Sequence, residues 1–182
     1  MKKVLITLSI IVLNISANAD RFLTKTGKIV FTSKAPMETI VGTNNSVASL
    51  INTETGAIEF SVPIKSFVFD KQLMQEHFNE NYMESGKYPT STFKGTISNL
   101  KDIDFSKNGE YNAIVNGKLT MHGVSKDINN KGIIKVKGSS VTIVSELDVL
   151  LADYKISIPK AVADKVSKTV KISIQSSLDK IK

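Results

Sequence analysis

The chain has 182 residues, no cysteine, no tryptophan and a formal charge of +7, from 24 Lys and Arg against 17 Asp and Glu. Without cysteine, disulfide scaffolds and thiolate metal sites are excluded. The basic excess does not make a nucleic-acid surface: Arg21 is the only arginine, no RNP-type aromatic motif is present, and the lysines are spread along strands and turns as a solvated face.

Lys2 and Lys3 precede an apolar run from Val4 to Ile15, and Ala17-Asn18-Ala19 has the small-x-small pattern of a signal peptidase site. The expectation is an exported chain cleaved after Ala19, periplasmic or secreted, with residues 20–182 forming one domain. At about 12 residues the run is shorter than the roughly 20 needed to span a bilayer. No cysteine follows it, so a lipid-modified N-terminus of the lipoprotein type is excluded.

Arg21 to Thr26 and Lys28 to Ser33 read as short strands separated at Gly27. Met37 to Gly42 and Ser46 to Asn52 are weaker strands around a turn-like Thr43-Asn44-Asn45. Ile58 to Phe69 places Ile58, Phe60, Val62 and Ile64 on one face. Pro63 belongs at an edge or bulge, and the apolar parity then switches to Phe67 and Phe69, as a bulge would cause.

The one strong helical pattern follows. Leu73, Met74, Phe78, Tyr82 and Met83 fall on one face of a 3.6-residue period, with Asp70 as N-cap and Asn79 or Gly86 as terminator. Tyr88-Pro89 then forces extended backbone. A strand that runs into a short helical plug and returns as a strand suits a cover over the end of a barrel.

Thr92 to Leu100 is the return strand, with Phe93 and Ile97 inward. Asn108-Gly109 signals a hairpin into Glu110 to Met121, where Ala113, Val115, Leu119 and Met121 alternate with polar residues. Ser125 to Asn130 reads as a turn, and Lys131 to Lys137 and Val141 to Leu151 as strands. Asp153 to Lys160 continues the last strand or forms a short loop strand, Ala161 to Ser167 is one helical turn, and Thr169 to Leu178 closes the chain. Eight to ten short strands with turns between them predict an all-β, antiparallel barrel or sandwich. An eight-stranded barrel has room for one small ligand, but the same apolar face also suits a packed core.

Two segments carry a family resemblance. Lys87-Tyr88-Pro89-Thr90-Ser91-Thr92-Phe93 is similar to a "KYPxAxF" signature, and Gly117 to Lys126, GKLTMHGVSK, to "GxLTxHGVTK". With Phe67-Val68-Phe69-Asp70 and Leu73 to Phe78 before them, the chain resembles the YceI-like family of secreted, lipocalin-like lipid-binding proteins, also called polyisoprenoid-binding proteins. The resemblance covers residues 22 to 178. It implies an antiparallel eight-stranded lipocalin-like barrel with a short helical insertion, and a long apolar tunnel for an isoprenoid, isoprenoid quinone, fatty acyl or fatty amide chain. Members are binding proteins rather than characterised enzymes. The chain departs from the family after Leu147, where Asp153-Tyr154-Lys155-Ile156 stands nearest to "DRxxFGI".

The expected apolar wall comprises Phe60, Phe67 and Phe69; Leu73, Met74 and Phe78 of the plug; Phe93, Leu119 and Met121; and Val136, Leu147, Val149 and Ile172. Tyr82, Tyr88, His77 and His122 are the candidate polar handles. Only two histidines exist and neither has a second His at i+4, so no metal site is expected. No G-x-S-x-G, phosphate loop or acid–base constellation is present, so neither catalysis nor a cofactor is expected. The expected partners are a long-chain lipid or isoprenoid and a transient membrane surface, with a homodimer left open and no nucleic acid. The alternatives are a packed structural or stress-related exported barrel, and an enzyme with a titratable group beside a lipid-like substrate.

Overall fold

The computed structural model describes residues 20–181; residues 1–19, for which a signal peptide is expected, lie outside the described residues. The strands are β1 (Arg21–Lys34), β2 (Thr39–Asn52), β3 (Ala57–Pro63), β4 (Thr90–Ile97), β5 (Gly109–Met121), β6 (Val124–Lys137), β7 (Ser140–Leu150) and β8 (Thr169–Ile181). They form a closed barrel in sequence order, and β1 pairs antiparallel with β8 to complete the ring. Closure gives every strand a neighbour on both sides.

Several expected turns are strand. Arg21–Lys34 is continuous, and Gly27 marks only a shift of register against β2. Ser125 to Asn130 lies within β6, while the turn before it is His122-Gly123. Both turn residues have positive φ, 50° and 72°, the requirement of a two-residue type I′ hairpin. The hairpin expected into β5 forms, since β4 and β5 pair antiparallel, but Asn108-Gly109 is not its two-residue turn: Gly109 already begins β5, and the Asn108 side chain accepts from Gly138 N–H. Asp153 to Lys160 is not a strand: a 3₁₀ turn at Leu151–Tyr154 is followed by irregular chain, and the helical turn after it is a 3₁₀ turn at Lys160–Val162.

The Thr43-Asn44-Asn45 segment is also strand, and it carries the main structural device of the fold. Asn44 is fully buried within β2. Its Nδ2 donates to Pro63 O and its Oδ1 accepts from Ser46 N–H, both at 2.8 Å. The β2–β3 ladder covers only Ala48–Ile51 against Ile58–Ser61. Above it β3 leaves the sheet through a 3₁₀ turn, Ile64–Ser66, and Val68 takes its place beside β2 by exchanging two hydrogen bonds with Thr43. The parity switch after Ser66 thus comes from a 3₁₀ turn and not a bulge. Val68 points out, and Phe67 and Phe69 are buried.

The barrel is packed solid at one end. Phe22 stacks on Phe105 of the β4–β5 connection at 6.2 Å, over fully buried Ile51, Val141 and Leu178. The connections at the other end, residues 64–89 and 151–168, are long and fold over the opening.

Asn44→Ala would leave the Pro63 carbonyl and the Ser46 amide without their side-chain partner. At about 1–3 kcal/mol for each buried group left unpaired, a loss of about 2 kcal/mol is expected. Thermal unfolding should show it as a fall of about 4–8 °C.

Candidate functional site

The plug starts with an uncapped helix, α1 (Gln72–His77). Lys71, not Asp70, occupies the N-cap position, and no side chain caps the helix there. Asn79 does not end the helical segment: α1 runs on through a π-helical turn, Phe78–Tyr82, and the chain then turns at Glu84 with φ 44°. Six residues without a cap and with no buried side chain do not hold a helix alone. Aromatic packing holds it. Phe78 lies 5.5 Å from Phe31, 5.3 Å from Phe67 and 4.9 Å from Phe69, between ring centroids. Such pairs contribute about 0.5–1.5 kcal/mol each beyond their buried area.

Beneath the plug lies an apolar cavity of about 480 Å³, inside the range of about 300–1,000 Å³ usual for small-molecule sites. Two sets of neighbouring residues build its walls. Phe60 pairs with Phe93 and Phe93 with Leu119 across β3, β4 and β5; Phe31 pairs with Ile172 and Ile172 with Leu147 across β1, β8 and β7. Phe93 has space because Gly95 and Gly117 face each other beside it. A Cβ on either glycine would come within 2.6 Å of the Phe93 ring. The interior is therefore filled at the bottom and open above, and the expectation of a barrel packed throughout does not hold.

Most of the expected wall lines this cavity: Phe60, Phe67, Phe69 and Phe93 among the aromatics, Leu73, Met74 and Phe78 from the plug, and Leu119, Met121, Leu147, Val149 and Ile172 from the strands. Val136 does not. It pairs with Val141 in the solid end, below the cavity floor marked by Ala113, Ile134 and Ile143. Of the expected polar handles, Tyr82 and His77 line the cavity. Burial raises the Tyr82 hydroxyl above its ordinary pKa, so it stays neutral and able to donate at neutral pH.

Tyr88 and His122 lie elsewhere, in a clasp that ties the plug to the barrel. His122 Nδ1 faces Tyr154 O at 2.9 Å and Nε2 meets Glu84 Oε2 at 2.6 Å. Both partners only accept, so Nδ1–H donates to the Tyr154 carbonyl, and Nε2 pairs with the Glu84 carboxylate when it too carries a proton. The Tyr88 ring meets the His122 ring edge-on at 4.8 Å and fills the space over Gly123, where a Cβ would come within 2.5 Å of it. The "HG" of the second signature is thus a hairpin turn that clasps the return from the plug.

Sequence reasoning missed Phe31, Met83 and Ser91. Phe31 shares strand parity with Ile29, and Ser91 shares it with Phe93, so period two could have placed both. Leu151, Ile156 and Val166 also line the cavity, from the β7–β8 connection, where no periodic signal exists.

The cavity has a mouth and touches one weak seam. At the mouth, Lys71 Nζ lies 3.5 Å from Glu38 Oε1, and Met37 N–H donates to Asp164 O. Leu73 of the cavity lining is 60% exposed, and Met37, next to Glu38 in the chain, is 68% exposed. At the seam, the β6–β7 ladder stops at Gly132↔Ser145 although both strands continue. Asn130 pins the split by donating to Ser145 Oγ and Glu146 O. Outside, a polar crevice with Glu146, Asp148 and Lys171 shares Ile128, Asn130 and Leu147 with the cavity wall. The Lys171 and Ser173 hydrogen bonds hold the Glu146 carboxyl below its usual range. Among the described residues, no three His, Cys, Asp or Glu gather as a metal site.

A closed antiparallel eight-stranded barrel around a plugged apolar cavity defines a lipocalin-like protein. The chain belongs to the YceI-like family, whose domain profile matches residues 19–178. Solved structures share the fold. A protein from Saccharophagus degradans, described as a polyisoprenoid binding domain implicated in plant cell wall breakdown, superposes with a TM-score of 0.77 at 14% identity, over 89% of this chain and 99% of its own. BcnA of Burkholderia cenocepacia gives 0.67 at 17%, over 83% and 95%. The YCEI protein of Campylobacter jejuni gives 0.59 at 16%, over 78% and 85%. No curated protein matches the chain in sequence.

Phe78→Ala removes the ring shared by the plug and both entry aromatics. A loss of about 3 kcal/mol is expected, the lower end for a buried phenylalanine, because Phe78 keeps some exposure. Thermal unfolding measures the loss. Amide hydrogen exchange should show it concentrated in residues 70–86, with the strands little changed.

Proposed function

We propose that this protein is an exported lipid carrier, periplasmic or secreted, that takes one long apolar chain into its barrel and shields it from water. The observation that carries the reading is the apolar cavity of about 480 Å³ left open beneath an aromatic-anchored plug. Each methylene taken out of water contributes about 0.8 kcal/mol, so a long chain binds without any polar contact. The signal-peptide pattern before Asp20 supports export. The Saccharophagus degradans neighbour supports an isoprenoid chain as one ligand class; acyl chains suit the same wall. Met74, Met83 and Met121 let that wall adapt to the shape of the chain.

Loading and release take place at a membrane. Met37 and Leu73 are exposed apolar residues beside Glu38 and Lys71, and Lys71 and Lys165 both line the cavity. That pairing suits brief insertion into an anionic lipid surface.

Phe93→Asp tests carriage, because it sets a carboxylate among apolar walls. A folded variant should lose affinity for a fluorescent 16-carbon acyl probe by at least tenfold. Unchanged affinity in a folded variant would contradict the reading. For the membrane contact, Met37→Glu, which lies off the cavity wall, should slow transfer of the probe to vesicles containing phosphatidylglycerol severalfold, with binding in solution preserved. An unaltered transfer rate would rule out this surface.

A further inference from the structure

Ser91 is an anomaly on the cavity wall. It lies on β4 directly opposite Val62 of β3, and both side chains line the cavity. It is 7% exposed, and its Oγ has no hydrogen-bond partner among the described residues. A buried hydroxyl without a partner destabilises the fold that holds it, and native interiors keep few. Three other buried serines here are matched. Ser49 and Ser176 share a hydrogen bond at 2.7 Å, and Ser33 Oγ accepts from Ser167 N–H at 2.9 Å. The other unpaired buried atom, Asn79 Oδ1, is on the plug and off the cavity wall.

We infer that Ser91 is a recognition residue, whose hydroxyl hydrogen-bonds an uncharged polar group of the lipid in the cavity. The inference rests on the carriage reading above and adds the chemistry of the ligand. The preferred cargo is an oxygen- or nitrogen-bearing chain, not a bare hydrocarbon, and its polar group lies inside the barrel beside Val62 and Ser91. The group is uncharged for a physical reason. An ion there would leave water for an apolar wall with one hydroxyl as its new partner. The charged side chains that line the cavity are elsewhere: Lys131 and Lys165 are exposed, and Lys71 and Glu38 are paired at the mouth. A serine hydroxyl both donates and accepts, so an alcohol, a carbonyl or an amide satisfies it equally.

The test compares two ligands that differ by one hydroxyl on proteins that differ by one hydroxyl. The native protein, Ser91→Ala and Ser91→Thr are each equilibrated with equal amounts of hexadecan-1-ol and hexadecane in detergent micelles. Occupancy is read by native mass spectrometry, and the unliganded proteins are melted in parallel. The native alcohol-to-alkane ratio should exceed that of Ser91→Ala by about fivefold, the worth of one net hydrogen bond. Ser91→Thr, which keeps the hydroxyl, should hold the native ratio. Unliganded Ser91→Ala should melt no lower than native, since it loses an unsatisfied group. Equal ratios in native and Ser91→Ala would overturn the inference and leave carriage standing. A lower melting point for Ser91→Ala with an unchanged ratio would make Ser91 structural and overturn it too. Failure of every protein to take up either probe would remove the carriage reading along with it.

Discussion

Closure of the barrel is the constraint on which the rest depends. Once β1 pairs with β8, eight strands set a fixed circumference. The inward side chains either fill the interior or leave a hollow. At the end where Gly109 meets Val136, large side chains and the Phe22–Phe105 stack fill it. At the other end they do not reach across, and two long connections roof the opening instead. The same ring thus has a solid half that supplies stability and a hollow half left free for binding.

The roof is attached by specific devices, not by helix propensity. The plug enters along β2 because Val68 exchanges hydrogen bonds with Thr43 after Asn44 has fixed the end of β3. It is held down by Phe78 against Phe31, Phe67 and Phe69. Its return is tied to the β5–β6 hairpin by Glu84, His122 and Tyr88. Entry, middle and exit are therefore anchored on different strands. A segment held by a few side chains over an apolar cavity is the kind of element that opens locally at less cost than the barrel itself.

Period-two alternation made the barrel legible in the sequence, because a closed sheet has one inside and one outside everywhere. The same rule placed Phe60, Phe93 and Leu119 on the inner face. It failed where polar residues do structural work. Thr43-Asn44-Asn45 carries the composition of a turn, yet Asn44 is a buried brace within a strand. Ser125 to Asn130 is polar because that part of β6 faces solvent, and the true turn beside it lay in the second signature motif. Alternation also says nothing of height along the barrel axis. Alternation therefore puts Val136 on the inner face like the wall residues, although it belongs to the solid end. Chemistry alone makes Tyr88 a polar handle, yet its ring packs on the His122-Gly123 turn. The residues contributed by the β7–β8 connection had no periodic signal to reveal them.

The central claim is that the hollow half holds a long apolar chain. Native mass spectrometry of the protein purified from its own source, without added lipid, tests it most directly, followed by organic extraction of whatever is bound. The account predicts one long-chain amphiphile per barrel, released on unfolding and identifiable in the extract. A mass equal to the bare polypeptide, with no uptake of added prenyl or acyl chains, would contradict it.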